Sequence, residues 1–140
     1  MVRYVGVLLI VVIATFIAGC SKPNESNAEE GLPVLITLTC NPNLALEPCQ
    51  DVVFDRSDEI RIMMEAIHKA ERMPGIIDYG TQYKMSITNA DSSITRYDFS
   101  LGMDPKMQGL LVNEEDTHTG YSIPLEDANQ LRRLIQRRID

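Results

Sequence analysis

The stretch "QYKMSITNADSSITRYDFSL", Gln82 to Leu101, decides the fold. Tyr83, Met85 and Ile87 alternate with polar residues; "NADSS" follows, and Tyr97, Phe99 and Leu101 alternate in turn. Side chains along a strand point to opposite faces with a period of two, so each half is a strand with one apolar face. Asn, Asp and Ser between the halves supply turn chemistry, and the whole reads as a β-hairpin.

Toward the C-terminus, "GLLVN" (Gly109 to Asn113) and "HTGYSI" (His118 to Ile123) flank "EEDT" as a second hairpin, Tyr121 and Ile123 facing the core. Four consecutive strands predict an antiparallel meander with one buried face. Pro124 then opens a helix, Leu125 to about Ile139, whose stripe is Ala128, Leu131, Leu134 and Ile135. Glu126 and Asp127 in its first turn, and Arg132, Arg133, Arg137 and Arg138 in its last two, complement the helix dipole.

Toward the N-terminus, Ile60, Met63, Met64, Ile67 and Ala70 recur at helical spacing from Ser57. Asp55 or Ser57 would cap that helix and Pro74-Gly75 would stop it. "PVLITLTC", Pro33 to Cys40, reads as a short strand, and "DVVF", Asp51 to Phe54, as another or as the lead-in to the helix. The expected class is α+β: a two-layer sandwich of helix, four-stranded antiparallel meander and C-terminal helix, preceded by a short strand region.

The first residues have another character. After Arg3, "YVGVLLIVVIATFIA" (Tyr4 to Ala18) is apolar and uncharged over 15 residues, short of the roughly 20 that a spanning helix needs and suited to a secretory signal. It ends in "FIAGC", which resembles the lipobox of bacterial lipoproteins. The resemblance implies cleavage between Gly19 and Cys20 and alkylation of the Cys20 thiol with diacylglycerol, with fatty acid such as palmitate as the anchor. The protein would then stand on the extracytoplasmic face of the cell membrane. One acyl chain holds a protein marginally and two hold it stably.

Three segments follow: 1–19 signal peptide, 20–32 lipidated cysteine and flexible tether, 33–140 a single α+β domain. "SKPNESNAEEG", Ser21 to Gly31, is polar and aperiodic, a coil that would lift the domain on the order of 20 Å from the lipid.

Loss of the first 19 residues would remove one cation, Arg3, and take the formal charge from −7 to −8. Such a surface repels nucleic acid and anionic headgroups, so no nucleic-acid partner is expected and membrane contact falls to the lipid. Cys40 and Cys49, in "CNPNLALEPC", are an even remainder in an exported chain. A local disulfide, free thiols and metal ligation are the readings open to them, the last poor because no histidine is near.

Chemistry is sparse. His68 falls on the polar face of its helix among Arg61, Glu65, Lys69 and Arg72. His118 follows "NEEDT" without the alternating oxygen ligands and glycine of a calcium loop. Neither a Gly-x-Ser-x-Gly elbow nor a glycine-rich phosphate loop occurs. We expect no catalytic residues, metal or cofactor. Met63, Met64 and Met85 follow core periods, whereas Met103 and Met107, in "GMDPKMQG", follow none and are candidates for partner contact.

The block "VFDRSDEIRIMMEAIHKAERMPGIIDYG", with "YDFSLGMD" and "EEDTHTGYSIPLEDANQLRRLI", resembles the YhfM-like domain, a module of Gram-positive lipoproteins, over about residues 53–136. The resemblance implies an exported α+β lipoprotein and carries no catalytic residues. The sequence departs from the expected pattern at Thr81-Gln82, where a Pro-Asp pair would stand, and at Leu101, where tryptophan is common. The expected function is a lipid-anchored interaction or accessory binding module with an envelope protein as partner, not an enzyme. The alternative is a small envelope hydrolase using carboxylate acid and base.

Overall fold

The computed structural model describes residues 31–43 and 49–140; the leader, Cys20 and the tether up to residue 30 lie outside the described residues. Seven strands form one sheet: β1 (Leu35–Cys40), β2 (Val52–Phe54), β3 (Glu71–Arg72), β4 (Tyr83–Thr88), β5 (Ile94–Ser100), β6 (Gly109–Asn113) and β7 (Gly120–Ile123). Their order is β2-β1-β4-β5-β6-β7-β3, and every pairing is antiparallel. Among the described residues the helices are α1 (Ser57–His68) and α2 (Leu125–Ile139).

The expected meander is therefore the inside of a larger sheet. β4 to β7 pair in sequence, but β1 and β2 continue the sheet beyond β4, and β3 closes the other edge on β7. The register aligns Leu38 with Met85 and Tyr97, and Tyr83 with Phe99, Leu111 and Tyr121. These residues share one face, where Ile36, Leu38, Met85 and Phe99 are fully buried beneath the stripes of both helices. Each large apolar side chain so buried contributes roughly 1.5 to 3 kcal/mol relative to exposure.

α2 matches its stripe: Ala128, Leu131, Leu134 and Ile135 are all buried. α1 departs from expectation at both ends. Its N-cap is Arg56, with no side-chain cap bond from Asp55 or Ser57, and it stops at His68, well before Pro74-Gly75. Lys69 is the C-cap, and the chain leaves the helix so that Glu71 and Arg72 can pair with Ser122 and Tyr121.

The two helices run antiparallel and are tied at both ends. Arg138 of α2 meets Glu59 in the first turn of α1, lies 3.5 Å from Asp55 and places its guanidinium 5.9 Å from the Phe54 ring centre. At the other end Lys69 Nζ donates to Asp127 Oδ1 at 2.8 Å. In each pair an acid sits near a helix N-terminus and a cation near a C-terminus, the sense that the dipoles favour.

The second face of the sheet is not left bare, contrary to the one-faced meander expected. Thr39, Lys84, Asp98, Val112 and Gly120 form a row across it, and the segment Met73 to Gln82 runs back along that row as a strap. The Met73 amide donates to the Gly120 carbonyl at 2.8 Å. The Tyr79 hydroxyl and Thr81 hydroxyl both donate to Asp98, at 3.1 and 3.3 Å. Ile77 lies over Gly120, and Val112, apart from the main core, is fully buried there.

Gly120 lets the strap cross closely. A Cβ on it would meet Ile77 Cδ1 at 2.6 Å and the Met73 sulfur at 3.4 Å. Gly120→Ala is expected to cost about 1 to 3 kcal/mol as an overpacking change. Hydrogen exchange should show the Met73 amide opening faster while β4 and β5 amides, on the other side of the strap, keep their protection.

Candidate functional site

The loop between β5 and β6, Leu101 to Gln108, carries the two methionines singled out by their lack of period. Both are exposed, Met103 at 64% and Met107 at 53%. Gly102 takes the left-handed conformation at φ 65° that a side chain resists, and a Cβ on it would reach the Met107 sulfur at 3.5 Å. Asp104-Pro105 turns the chain: the Lys106 amide donates to Asp104 Oδ1 at 2.8 Å and the Met107 amide to the Asp104 carbonyl at 3.0 Å.

Side chains from elsewhere in the fold brace this loop. Arg132 of α2 donates to the carbonyls of Leu101, Gly102 and Met107, the last two at 3.2 and 2.7 Å. Asn129, one turn earlier, receives Arg132 Nη1 at 2.7 Å and donates to the Pro105 carbonyl at 2.9 Å. From the other side Gln82 Oε1 accepts the amides of Leu101 and Gly102 at 3.2 and 3.1 Å. Burial pushes the Arg132 guanidinium below its ordinary value, against the field of Asp104. Guanidinium geometry suits this work, since its planar donors reach several acceptors at once.

The result is a small exposed apolar patch on a held backbone. On α2, Leu125 is 41% exposed and stands one turn before Asn129. Thioethers are polarisable and adapt to varied shapes. The exposure of both methionines agrees with their lack of period, while what positions them leaves no local signal in the sequence. By position alone Arg132 complements the helix dipole, and Gln82 belongs to one of the two departures from the expected family pattern. The structure brings those departures together, since Gln82 caps the amide of Leu101.

The remaining expected site residues are scattered. Cys20 lies outside the described residues. Cys40 and Cys49 are joined as a disulfide, with α-carbons 5.8 Å apart, and the Cys40 amide donates to Asp51 Oδ1 at 2.8 Å. His68 and His118 are both exposed, at the end of α1 and in the β6–β7 turn. Among the described residues no group of three or more His, Cys, Asp or Glu is placed to hold a metal ion.

One polar cluster is well ordered but belongs to the strap. Lys84 Nζ lies 2.6 Å from Asp98 Oδ1 and 2.9 Å from Glu114 Oε1. Hydrogen bonds to these two acids push the Lys84 ammonium above its ordinary value. Burial first, then the bond to Asp98, pushes the Tyr79 phenol up as well. Both pKa values are raised on folding, so the folded state binds these protons more tightly. The stabilisation is present below the unfolded values of about 10 and is lost as pH rises through the higher folded ones. Alkaline titration is expected to release the strap, seen as faster exchange at Met73, and a Tyr79→Phe, Lys84→Met variant should flatten that dependence.

A mixed α/β domain of one antiparallel sheet, with two helices on one face and a strap on the other, is the class these observations define. Within it the chain belongs to the YhfM family, described as YhfM protein, which matches residues 45–140. No curated protein and no solved structure matches the chain. Among the described residues no helix is long and apolar enough to cross a membrane.

Proposed function

We propose that this protein is a lipid-anchored module on the extracytoplasmic face of the cell membrane, held by diacylglycerol on Cys20, that engages an envelope protein through the Met103–Met107 loop. The observation that carries the reading is the combination of two exposed thioethers with a backbone clasped by Arg132, Asn129 and Gln82. Exposed apolar side chains are common singly, but side-chain and backbone bonds spent on holding them in one place point to recognition. The lipobox-like "FIAGC" and the acidic balance of the chain supply the location and leave the lipid as the membrane contact.

The anchor is tested by feeding cells an alkyne-tagged fatty acid. The wild-type chain is expected to take up label and fractionate with membranes, and Cys20→Ala to do neither. Label retained in the Cys20→Ala chain would contradict the anchor.

A further inference from the structure

At the opposite end of β5 and β6 from the methionine loop, α1 ends short of the sheet's edge and leaves a cleft of about 380 Å³. Its size falls within the range of small-molecule sites, which pair an apolar lining with a few convergent polar groups. Ile67, Ala70 and Leu111 form the apolar part. Tyr97 and Tyr121 face it from the sheet, and Asn113 and Asp116 stand at the β6–β7 turn.

Three of the polar side chains here, Asp116, Tyr97 and Tyr121, are not consumed by the fold. Asp116 is exposed; its backbone amide and carbonyl close the turn with Asn113 and Thr119, and its carboxylate has no ion pair or hydrogen bond among the described residues. The same holds for the hydroxyls of Tyr97 and Tyr121. Asn113 Oδ1 accepts the Glu115 amide at 2.8 Å. Of the nearby cations, Lys69 is held by Asp127, and Arg72, paired with Tyr121 at the sheet edge, is not part of the lining.

The cleft is thus electronegative on an apolar floor. Asp116 is its one charged lining residue, and α1 presents its C-terminal, negative end through Ile67 and Ala70. Burial chiefly pushes the Tyr97 phenol above its ordinary value, and the charge of nearby Glu115 adds to it in the same direction. Two aromatic faces beside a carboxylate attract a cation that carries apolar bulk.

We propose that this cleft binds a small organic ammonium ion, its charged head on Asp116 and the faces of Tyr97 and Tyr121 and its hydrocarbon part on Leu111, Ile67 and Ala70. The inference goes beyond the methionine loop and does not depend on it.

The test is an NMR titration of the full-length protein in neutral-detergent micelles with butylammonium, 1-butanol and butyrate. Butylammonium is expected to shift the Ala70, Tyr97 and Tyr121 resonances saturably and to bind about tenfold or more tighter than butanol, the scale of a paired charge in a partly desolvated site. Asp116→Asn should bring its affinity to about that of butanol. Ala70→Phe, which fills the cleft, should abolish both, with unchanged shifts in β1 and β4 showing that the fold is kept. Equal affinity for the alcohol and the ammonium, an ammonium affinity untouched by Asp116→Asn, or no saturable shift at these residues would each overturn the proposal.

Discussion

Phe99→Ala is expected to destabilise the domain by about 3 to 5 kcal/mol, the range for emptying a large aromatic site in a core. Phe99 is fully buried, pairs with Tyr83 on β4 and Leu111 on β6, and its ring centre lies 6.4 Å from that of Tyr83. It therefore stands where the central strands meet the helices, and neighbours on several elements would border the void. For a domain of this size the loss corresponds to a fall in Tm on the order of 15 to 25 °C. Thermal unfolding followed by circular dichroism reads it directly. A fall of a degree or two would mean that the sheet face assigned to Phe99 is not the core.

The second large effect is expected from the disulfide. Cys40 ends β1, Cys49 precedes β2, and the bridge closes a loop of sequence separation 9 between strands that pair with each other. Closing a loop of that length restricts the unfolded chain by about 2 to 3 kcal/mol. Cys40→Ser with Cys49→Ser, or reduction of the wild type, should lower Tm on the order of 10 °C. The Asp51 contact to the Cys40 amide is a separate tie and survives both changes. Identical melting of oxidised and reduced protein would show that the bridge is not formed or not constraining.

The contrast between these residues and the rest of the fold shows what a sequence can display. β4, β5 and α2 are long enough to express a period, and Tyr83, Met85, Phe99, Leu131 and Leu134 stand where their spacing puts them. β3 has two residues, Glu71 and Arg72, both exposed. No alternation fits in that length, and their pairing with β7 is decided by a segment about fifty residues away. The same holds for the strap. Ile76 and Ile77 follow no period, and burial of Asp98 on the polar face of β5 becomes visible once Tyr79, Thr81 and Lys84 are brought over it. Non-local contacts set both, and local propensity is silent about them.

The candidate site divides along the same line. Met103 and Met107 were legible because they break the surrounding pattern. Their bracing was not, since Arg132 carries the same charge as its neighbours Arg133, Arg137 and Arg138 and differs in what it faces. Leu125, Asn129 and Arg132 fall on one side of α2, and that spacing was the available signal. Tyr97 and Tyr121 were placed on the core face, where they are, but the early end of α1 uncovers part of them and forms the cleft.

The Met103–Met107 loop is proposed as the surface that meets a partner. Its most direct test is photo-crosslinking on intact cells, with a diazirine amino acid at position 103 or 107 and, as control, at the exposed Ile94 on the other face of the sheet. We expect a discrete adduct of the same mass from 103 and 107, absent from 94, and lost when the unsubstituted methionine of the pair is changed to Glu. Adducts of equal yield from position 94, or none from 103 and 107, would contradict the account.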